Sequence, residues 1–554
     1  MKTRLRLLFV ALAAAAPFYS LHAQPVDVFF QAAEGGPVRP LTADEKTNLQ
    51  DPVFKLVLSG RPDVTSLSDI EGLIQPDRSK RRIFVVDEEI MDFRQPQERR
   101  SVIMFDGANQ DLELPGNIAL SLPVASDKMP DQNVELEAWG WDEQGGVYNF
   151  YKLDRQGNTT PALSWKFRGS SKEADRLPVD SRPDTCLRCH TSGAPIMKEL
   201  PFPWNNWHSV ASPATYLTGS GPSEQRWPVI NDPNFPQLSG GESLEPLIKG
   251  AIGRFNNRRL AAFVTGDPQS GVTVADAKIL LKPLFDTTEI NLESAQQKSG
   301  LHPLPDPSTA GPSAPIQVPD NFFLQADVIA GTDDNAGIGV AEANGIGTVA
   351  TIQPAEYKAL VDQAKLQLVQ DDGTTLPGDT NFAWLTPTAG FAASHWVGTL
   401  IKQKIISPEL AAAVLAVDLE TPIFSDRRRG LLDLVPDTFS TTPGEPYPDK
   451  LARQVIAAIE SKNPAADSAE AEFLAILKTA SPVQELKARV IAYRTREAAK
   501  LGDATTRQAE LQRLFDLLIA RRKLVETFPD PNHFPMFGSL IESGALLPLP
   551  ASSN

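Results

Sequence analysis

The chain is 554 residues long and carries 53 basic against 69 acidic side chains, a formal net charge of −16. A hydrophobic share of 41% beside 22% charged residues excludes a disordered tail and a collagen-like repeat, and two cysteines exclude a disulfide-stapled miniprotein. The acidic balance speaks against nucleic acid as a partner, which needs a basic face, and the length holds about three or four domains at roughly 150 residues each.

The N-terminus reads as an address. Lys2, Arg4 and Arg6 form a basic start, an apolar stretch runs on to Phe18, and Leu21-His22-Ala23 offers a small-residue cleavage site. This is the pattern of a secretory signal peptide over residues 1–23. The apolar stretch is interrupted by Pro17 and is short for a membrane span of about 20 residues. The expectation is an exported protein with no integral membrane segment after signal removal, periplasmic in a Gram-negative host.

The fold class expected is α+β, with an antiparallel sheet in the N-terminal region, a segment carrying the cysteines, and a mainly α-helical C-terminal region. Residues 24–170 read as β-rich. Ile83-Phe84-Val85-Val86 is a short apolar run, and Val134, Leu136 and Ala138 alternate with Glu135 and Glu137 as in a half-buried strand. Gly145-Gly146 then separates two strand-like runs, which suggests a hairpin. Leu163 to Phe167 reads as a further strand.

Residues 171–300 contain the cysteines and then helical spacing at Leu244, Leu247, Ile248, Ile252 and Phe255. Residues 301–320 are Pro/Ser-rich and read as a linker or long loop. Residues 321–385 are mixed or irregular. Residues 386–554 read as helical, with one-sided stripes at Leu451, Val455, Ile456 and Ile459, at Val483, Leu486, Val490 and Ile491, and at Leu511, Leu514, Phe515, Leu518 and Ile519.

Both cysteines sit in one pentapeptide, Cys186-Leu187-Arg188-Cys189-His190. Cys-x-x-Cys-His is the attachment signature of haem c. Three residues of separation on a helical turn put both sulfurs on one side of the ring, where they add to the two vinyl groups. The next residue, His190, is carried under the iron as proximal ligand. Zinc wants four protein ligands and there is no second cysteine pair, while a redox dithiol belongs in a βαβ context.

At these five residues the sequence resembles the c-type cytochromes. The resemblance implies one covalent haem on Cys186 and Cys189, with His190 on the iron. Small single-haem cytochromes are about one helical domain, and this chain is several times larger. The rubber-oxygenase and dihaem peroxidase groups are large enough but carry two such motifs. A sheet followed by the attachment motif is also similar to the cytochrome c-prime-beta group, whose haem packs on a sheet. Some relatives of that group oxidise small nitrogen compounds and cross-link a lysine to the haem. Lys152 and Lys166 lie on strand-like segments where such a lysine would sit, although a solvated strand lysine is the simpler reading.

The ligand opposite the iron decides between electron transfer and catalysis. His208, in Pro203-Trp204-Asn205-Asn206-Trp207-His208, is the leading candidate, with Trp204 and Trp207 suited to covering the macrocycle. Met197 is close in sequence for reaching the far face. His395, His533 and Met536 are remote alternatives, each readable as a core or surface residue. His302 falls in the Pro-rich stretch and His22 leaves with the signal peptide. Arg182 and Arg188 flank the motif and suit the haem propionates. Pro195 is the expected source of a carbonyl for the second ring proton of His190.

The run Asp333-Asp334-Asn335 with the glycines that follow fits neither an EF-hand nor a P-loop, and no Gly-x-Ser-x-Gly elbow occurs. Arg427-Arg428-Arg429 reads as a solvated helix boundary. The function expected is one-electron transfer through covalent haem with a redox partner protein. The alternatives are a haem enzyme with an open distal site, peroxidase-like or acting on a small nitrogen compound, and a haem-based sensor or binding module.

Overall fold

The computed structural model describes residues 27–33, 35–87, 99–107, 116–124, 136–155, 163–173, 186–190, 193–195, 239–240, 244–267, 271–286, 290–294, 315–319, 324, 338, 340, 348–364, 366–369, 375–377, 385–389, 391–420, 425–441, 447–526 and 546–548. They form an α+β structure whose N-terminal part is built on a nine-stranded sheet. Its strands are β1 (Phe29–Phe30), β2 (Arg39–Pro40), β3 (Arg81–Asp87), β4 (Arg99–Phe105), β5 (Ile118–Val124), β6 (Leu136–Asp142), β7 (Val147–Arg155), β8 (Leu163–Ser170) and β9 (Ser239–Gly240). Strands β3 to β8 form an antiparallel meander. The sheet as a whole is mixed, not antiparallel, because β1 joins β8 and β9 joins β3 in parallel. Those two pairs come from distant chain segments, which a pattern of neighbouring strands does not reveal. The β9 strand also comes from beyond residue 170, so the sheet draws on chain outside the expected β-rich stretch.

The period-2 alternation sorts the sheet into two covered faces rather than one. Ile83, Ile103, Ile118, Leu120, Leu136, Ala138, Leu153 and Trp165 share a core with the N-terminal helices. Those helices are a π-helical turn at Phe54–Leu58 and α2 (Leu67–Ile74), preceded by α1 (Ala43–Asn48), which buries none of its own residues. Thr42 and Glu45 form a capping box on α1, and the Ser66 hydroxyl accepts from the Asp69 amide to start α2. The opposite face carries Phe84, Met104, Ala119, Trp139, Trp141, Tyr148 and Phe150. Glutamates alternate with Leu136 and Ala138 only as far as Glu137. Two tryptophans then take the second face, so β6 is buried almost throughout.

The β6–β7 hairpin forms as expected at Gly145-Gly146. The Gly145 amide donates to the Asp142 carboxylate at 2.8 Å, and Gly146 adopts φ +64°. Beneath this corner Asp51, fully buried, ties the π-helical turn to the sheet. It accepts from the Tyr151 hydroxyl at 2.5 Å, the Asn149 amide at 2.8 Å and the Phe54 backbone at 3.0 Å.

The second face is closed by a short helix, α3 (Cys186–Cys189), and a long one, α4 (Glu245–Phe263). Leu244, Ile248, Ala251, Ile252 and Phe255 pack α4 on the sheet, while Leu260 and Phe263 at its far end enter a separate helical core. That core holds α5 (Ala277–Phe285), α6 (Pro354–Ala364), α7 (Phe391–Lys402), α8 (Pro408–Ala416), α9 (Asp426–Leu431), α10 (Tyr447–Lys462), α11 (Ala469–Leu477), α12 (Pro482–Gly502) and α13 (Arg507–Glu526). Residues Leu410–Ala416 of α8 are buried on every side, which makes it the centre of the bundle.

The stripes on α10 and α13 point inward where described: Leu451, Val455, Ile459, Leu511, Leu514 and Phe515 are buried. On α12 the buried row is Leu486, Val490, Tyr493, Glu497 and Leu501, and Ile491 is exposed because it lies about 100° around the helix from Val490. The arginine run also departs from expectation. Arg427 and Arg429 pair with Glu472 and Asp426 at the surface, but Arg428 is buried. Of the Pro/Ser-rich stretch, Ile316–Pro319 is a strand paired with Thr348–Ile352, and residues 301–314 lie outside the described residues. No helix among the described residues is long and apolar enough to cross a membrane.

Candidate functional site

The pentapeptide forms a single helical turn. The His190 amide donates to the Cys186 carbonyl at 2.9 Å, so the turn begun at Cys186 carries through to the histidine. Leu187 points into the aromatic face of the sheet and is buried, and half-buried Cys186 packs at the edge of the same core. Leu187 therefore anchors the turn on the sheet.

The chain then reverses. The Gly193 amide donates to the His190 carbonyl at 2.8 Å, and Gly193 takes φ +76°, a left-handed conformation that glycine adopts without a Cβ penalty. The reversal brings the Ala194 carbonyl to 2.9 Å from His190 Nδ1. A carbonyl oxygen only accepts, so Nδ1 carries a proton, and in the neutral imidazole the lone pair is then on Nε2. The acceptor is Ala194 and not Pro195 as expected. The tight turn at Gly193 aligns the carbonyl four residues on, one earlier than proximity in sequence suggested.

Phe150, on β7, fixes the plane of the imidazole. The two rings stack with centroids 5.1 Å apart and planes inclined by 29°. Behind Phe150 the face is aromatic. Tyr148 meets Trp139 at 5.9 Å, Trp141 at 4.9 Å and Phe255 of α4 at 6.0 Å. The Tyr148 hydroxyl donates to the Gly116 carbonyl at 3.1 Å, and burial raises its pKa. At the rim Trp141 Nε1 donates to Glu143 at 2.6 Å. That bond and the neighbouring Arg258 hold the Glu143 carboxyl below its ordinary range.

Lys152 and Lys166 are direct cross-strand partners on β7 and β8. On β7, Tyr151 and Leu153 face the N-terminal helices, so Lys152 shares the opposite face with Phe150. On β8, Trp165 and Phe167 face the same helices, which puts Lys166 on the Phe150 face too. Lys166 is buried at 4% exposure, so the solvated-lysine reading fails for it.

His395 sits elsewhere. It is buried between α7 and α4, where the Asn256 amide donates to its Nδ1 at 2.8 Å and the ring lies against Gly253. Gly253 and Asn256 are on a different side of α4 from the residues that pack on the sheet. Arg182, Met197, Trp204, Trp207, His208, His302, His533, Met536 and the signal segment with His22 lie outside the described residues, as do the side chains of Arg188 and Cys189. Among the described residues no group of three or more His, Cys, Asp or Glu side chains is arranged to hold a metal ion.

The residues that sequence reasoning missed are Phe150, Ala194 and Leu187. Phe150 carried a weak signal, since it stands in alternation with Tyr148 and Lys152. Ala194 carried none. No protein-family model, no curated protein and no solved structure matches this chain.

Proposed function

We propose that the chain is an exported c-type cytochrome that holds one covalent haem through Cys186 and Cys189 and binds its iron through His190 Nε2. The observation that carries this reading is the 2.9 Å approach of His190 Nδ1 to the Ala194 carbonyl. It leaves the lone pair on the nitrogen a metal would use, and it raises the basicity of the ring. The single helical turn over Cys186–His190 and the stack on Phe150 are the further support. When bound, the haem would supply a reversible one-electron couple. The chain's own part is to hold the imidazole in one plane and one tautomer, and to bury that side of the site against Trp139, Tyr148 and Phe150.

The role that follows is electron transfer with a redox partner protein in the periplasm or another exported location. His208 is the leading candidate for the distal ligand, and Arg182 and Arg188 for the propionates. A second reading is a haem enzyme with an open distal site, acting on peroxide or a small nitrogen compound. It is favoured by one observation: the motif turn packs on a β-sheet through Leu187 and Phe150, as in the sheet-plus-haem group, rather than among helices alone.

Expression with a cytochrome c maturation system tests the first claim. The purified protein should keep a haem-sized mass increment after denaturation, and Cys186→Ser with Cys189→Ser should remove it. Equal haem in that double variant would sink the proposal. A low-spin spectrum insensitive to CO and cyanide selects the carrier, and a high-spin ferric spectrum that responds to peroxide selects the enzyme.

A further inference from the structure

We propose that Trp141 is a redox-active tryptophan, the end of a series of aromatic rings that carries oxidising equivalents away from the His190 turn. This rests on the haem reading above, in its enzyme form, and adds a second redox site to it. The oxidant is a peroxide reduced at the haem iron.

The sheet lays out the series. Phe150 stacks on the His190 imidazole with centroids 5.1 Å apart. Trp139 on β6 is the direct cross-strand partner of Phe150, and both belong to the core on that face. The Tyr148 ring lies 5.9 Å from Trp139 and 4.9 Å from Trp141. These are the spacings of rings in contact, so the series runs without a break from the motif to the end of β6. Trp141 itself is buried, but its Nε1 donates to Glu143 at 2.6 Å, and Glu143 is exposed. The last ring is thus one hydrogen bond from solvent.

The destination of the proton distinguishes Trp141 from its neighbours. A phenol or an indole that loses an electron becomes a strong acid, and the radical is stabilised where a base takes the proton. Tyr148 donates to the Gly116 carbonyl, an amide oxygen too weakly basic for that role. Trp165 and Trp396, buried in the other two cores, donate to the Val64 and Leu280 carbonyls. Trp141 donates to a carboxylate. The Trp141 bond and the ion pair with Arg258 hold that carboxyl below its ordinary range, so it is ionised and open to a proton. The step then balances. One electron leaves Trp141 for the oxidised haem, and the Nε1 proton moves to Glu143 Oε2. The products are a neutral indolyl radical, a carboxylic acid and a haem reduced by one electron. Tyr148, which keeps its proton, is a bridge and not a radical site.

The test uses the full-length haem-loaded protein, mixed with hydrogen peroxide and rapidly frozen. Electron paramagnetic resonance reads the radical, and spin trapping with peptide mapping locates it; neither measures turnover. Ring-deuterated tryptophan should narrow the signal, and the trapped adduct should map to Trp141. Trp141→Phe should lose both signal and adduct, and Trp396→Phe should lose neither. Glu143→Gln should convert the neutral radical signal to that of the protonated indole cation, because an amide does not take the proton. If Trp141→Phe does not fold, the wild-type map and Glu143→Gln, at an exposed position, decide the matter. A radical that maps elsewhere, a signal that survives Trp141→Phe, or a covalent haem inert to peroxide overturns the proposal and leaves the haem in place. A wild-type protein without covalent haem removes the parent reading along with this one.

Discussion

The Tyr151 hydroxyl donates to the Asp51 carboxylate across 2.5 Å, joining two fully buried side chains a hundred positions apart. Asn149 and the Phe54 amide donate to the same carboxylate. Burial wins over these bonds and pushes the Asp51 carboxyl up to about 6 from an ordinary 3.8. A raised acid pKa in the folded state stabilises the fold below the unfolded value, and this contribution disappears as pH rises through the folded one. Urea unfolding of the wild type should therefore lose on the order of 2–3 kcal/mol from this group between about pH 4 and pH 7. In Asp51→Asn that component of the pH dependence should vanish, leaving the two pH values closer together.

Gly140 lies directly under Asp51, and a Cβ there would collide with the carboxylate oxygen and with Asp51 Cβ. The collision is with a side chain held by three hydrogen bonds, so it cannot be relieved cheaply. Gly140→Ala should destabilise by about 1–3 kcal/mol, seen as a lower urea midpoint with an unchanged slope. Gly72→Ala, in open space on α2, is the control and should change stability little or raise it.

The turn at Gly193 sets the histidine. With φ +76° an alanine there is strained by roughly 1–2 kcal/mol. The strain is relieved by opening the turn that aims the Ala194 carbonyl at Nδ1. If the proposed haem is bound, Gly193→Ala should raise its midpoint potential, because a less basic imidazole donates less charge to the iron. The potential of a variant at exposed Gly502, where nothing crowds the added methyl, should stay at the wild-type value.

Arg428 is the buried member of the arginine run, near Asp418 and Asp286, and burial lowers its pKa to about 10. Arg428→Ala removes the charge that compensates those carboxylates and should cost about 3–5 kcal/mol. Arg427→Ala and Arg429→Ala remove exposed pairs and should each cost no more than about 1 kcal/mol. Thermal unfolding of the three variants separates the cases.

Local chemistry made parts of this molecule legible. The Gly145-Gly146 hairpin, the α10 and α13 stripes and the Cys186–His190 turn each depend on residues within a few positions of one another. Patterns of that range are written into neighbouring side chains. The second covered face of the sheet was not legible, because it depends on Trp139 and Phe150 meeting Leu187 and α4 from far along the chain. Burial of Arg428 and exposure of Ile491 were hidden for the same reason: side-chain type sets a preference, and the neighbouring helices decide which side is inside.

By itself, then, the sequence determined the placing of two cysteines and a histidine in one turn and the α+β class, but not the order of strands and helices, since α1 and α2 fall inside the stretch expected to be β-rich. The setting of the His190 imidazole, in one tautomer and one plane, was decided by tertiary structure. It needs a carbonyl delivered by the Gly193 reversal and a ring plane imposed by Phe150 on β7. The series of rings from Phe150 to Trp141 is likewise created only when β6 and β7 align in register. The physical reason is that a cross-strand contact is set by pairing and pleat, which one strand's sequence does not contain.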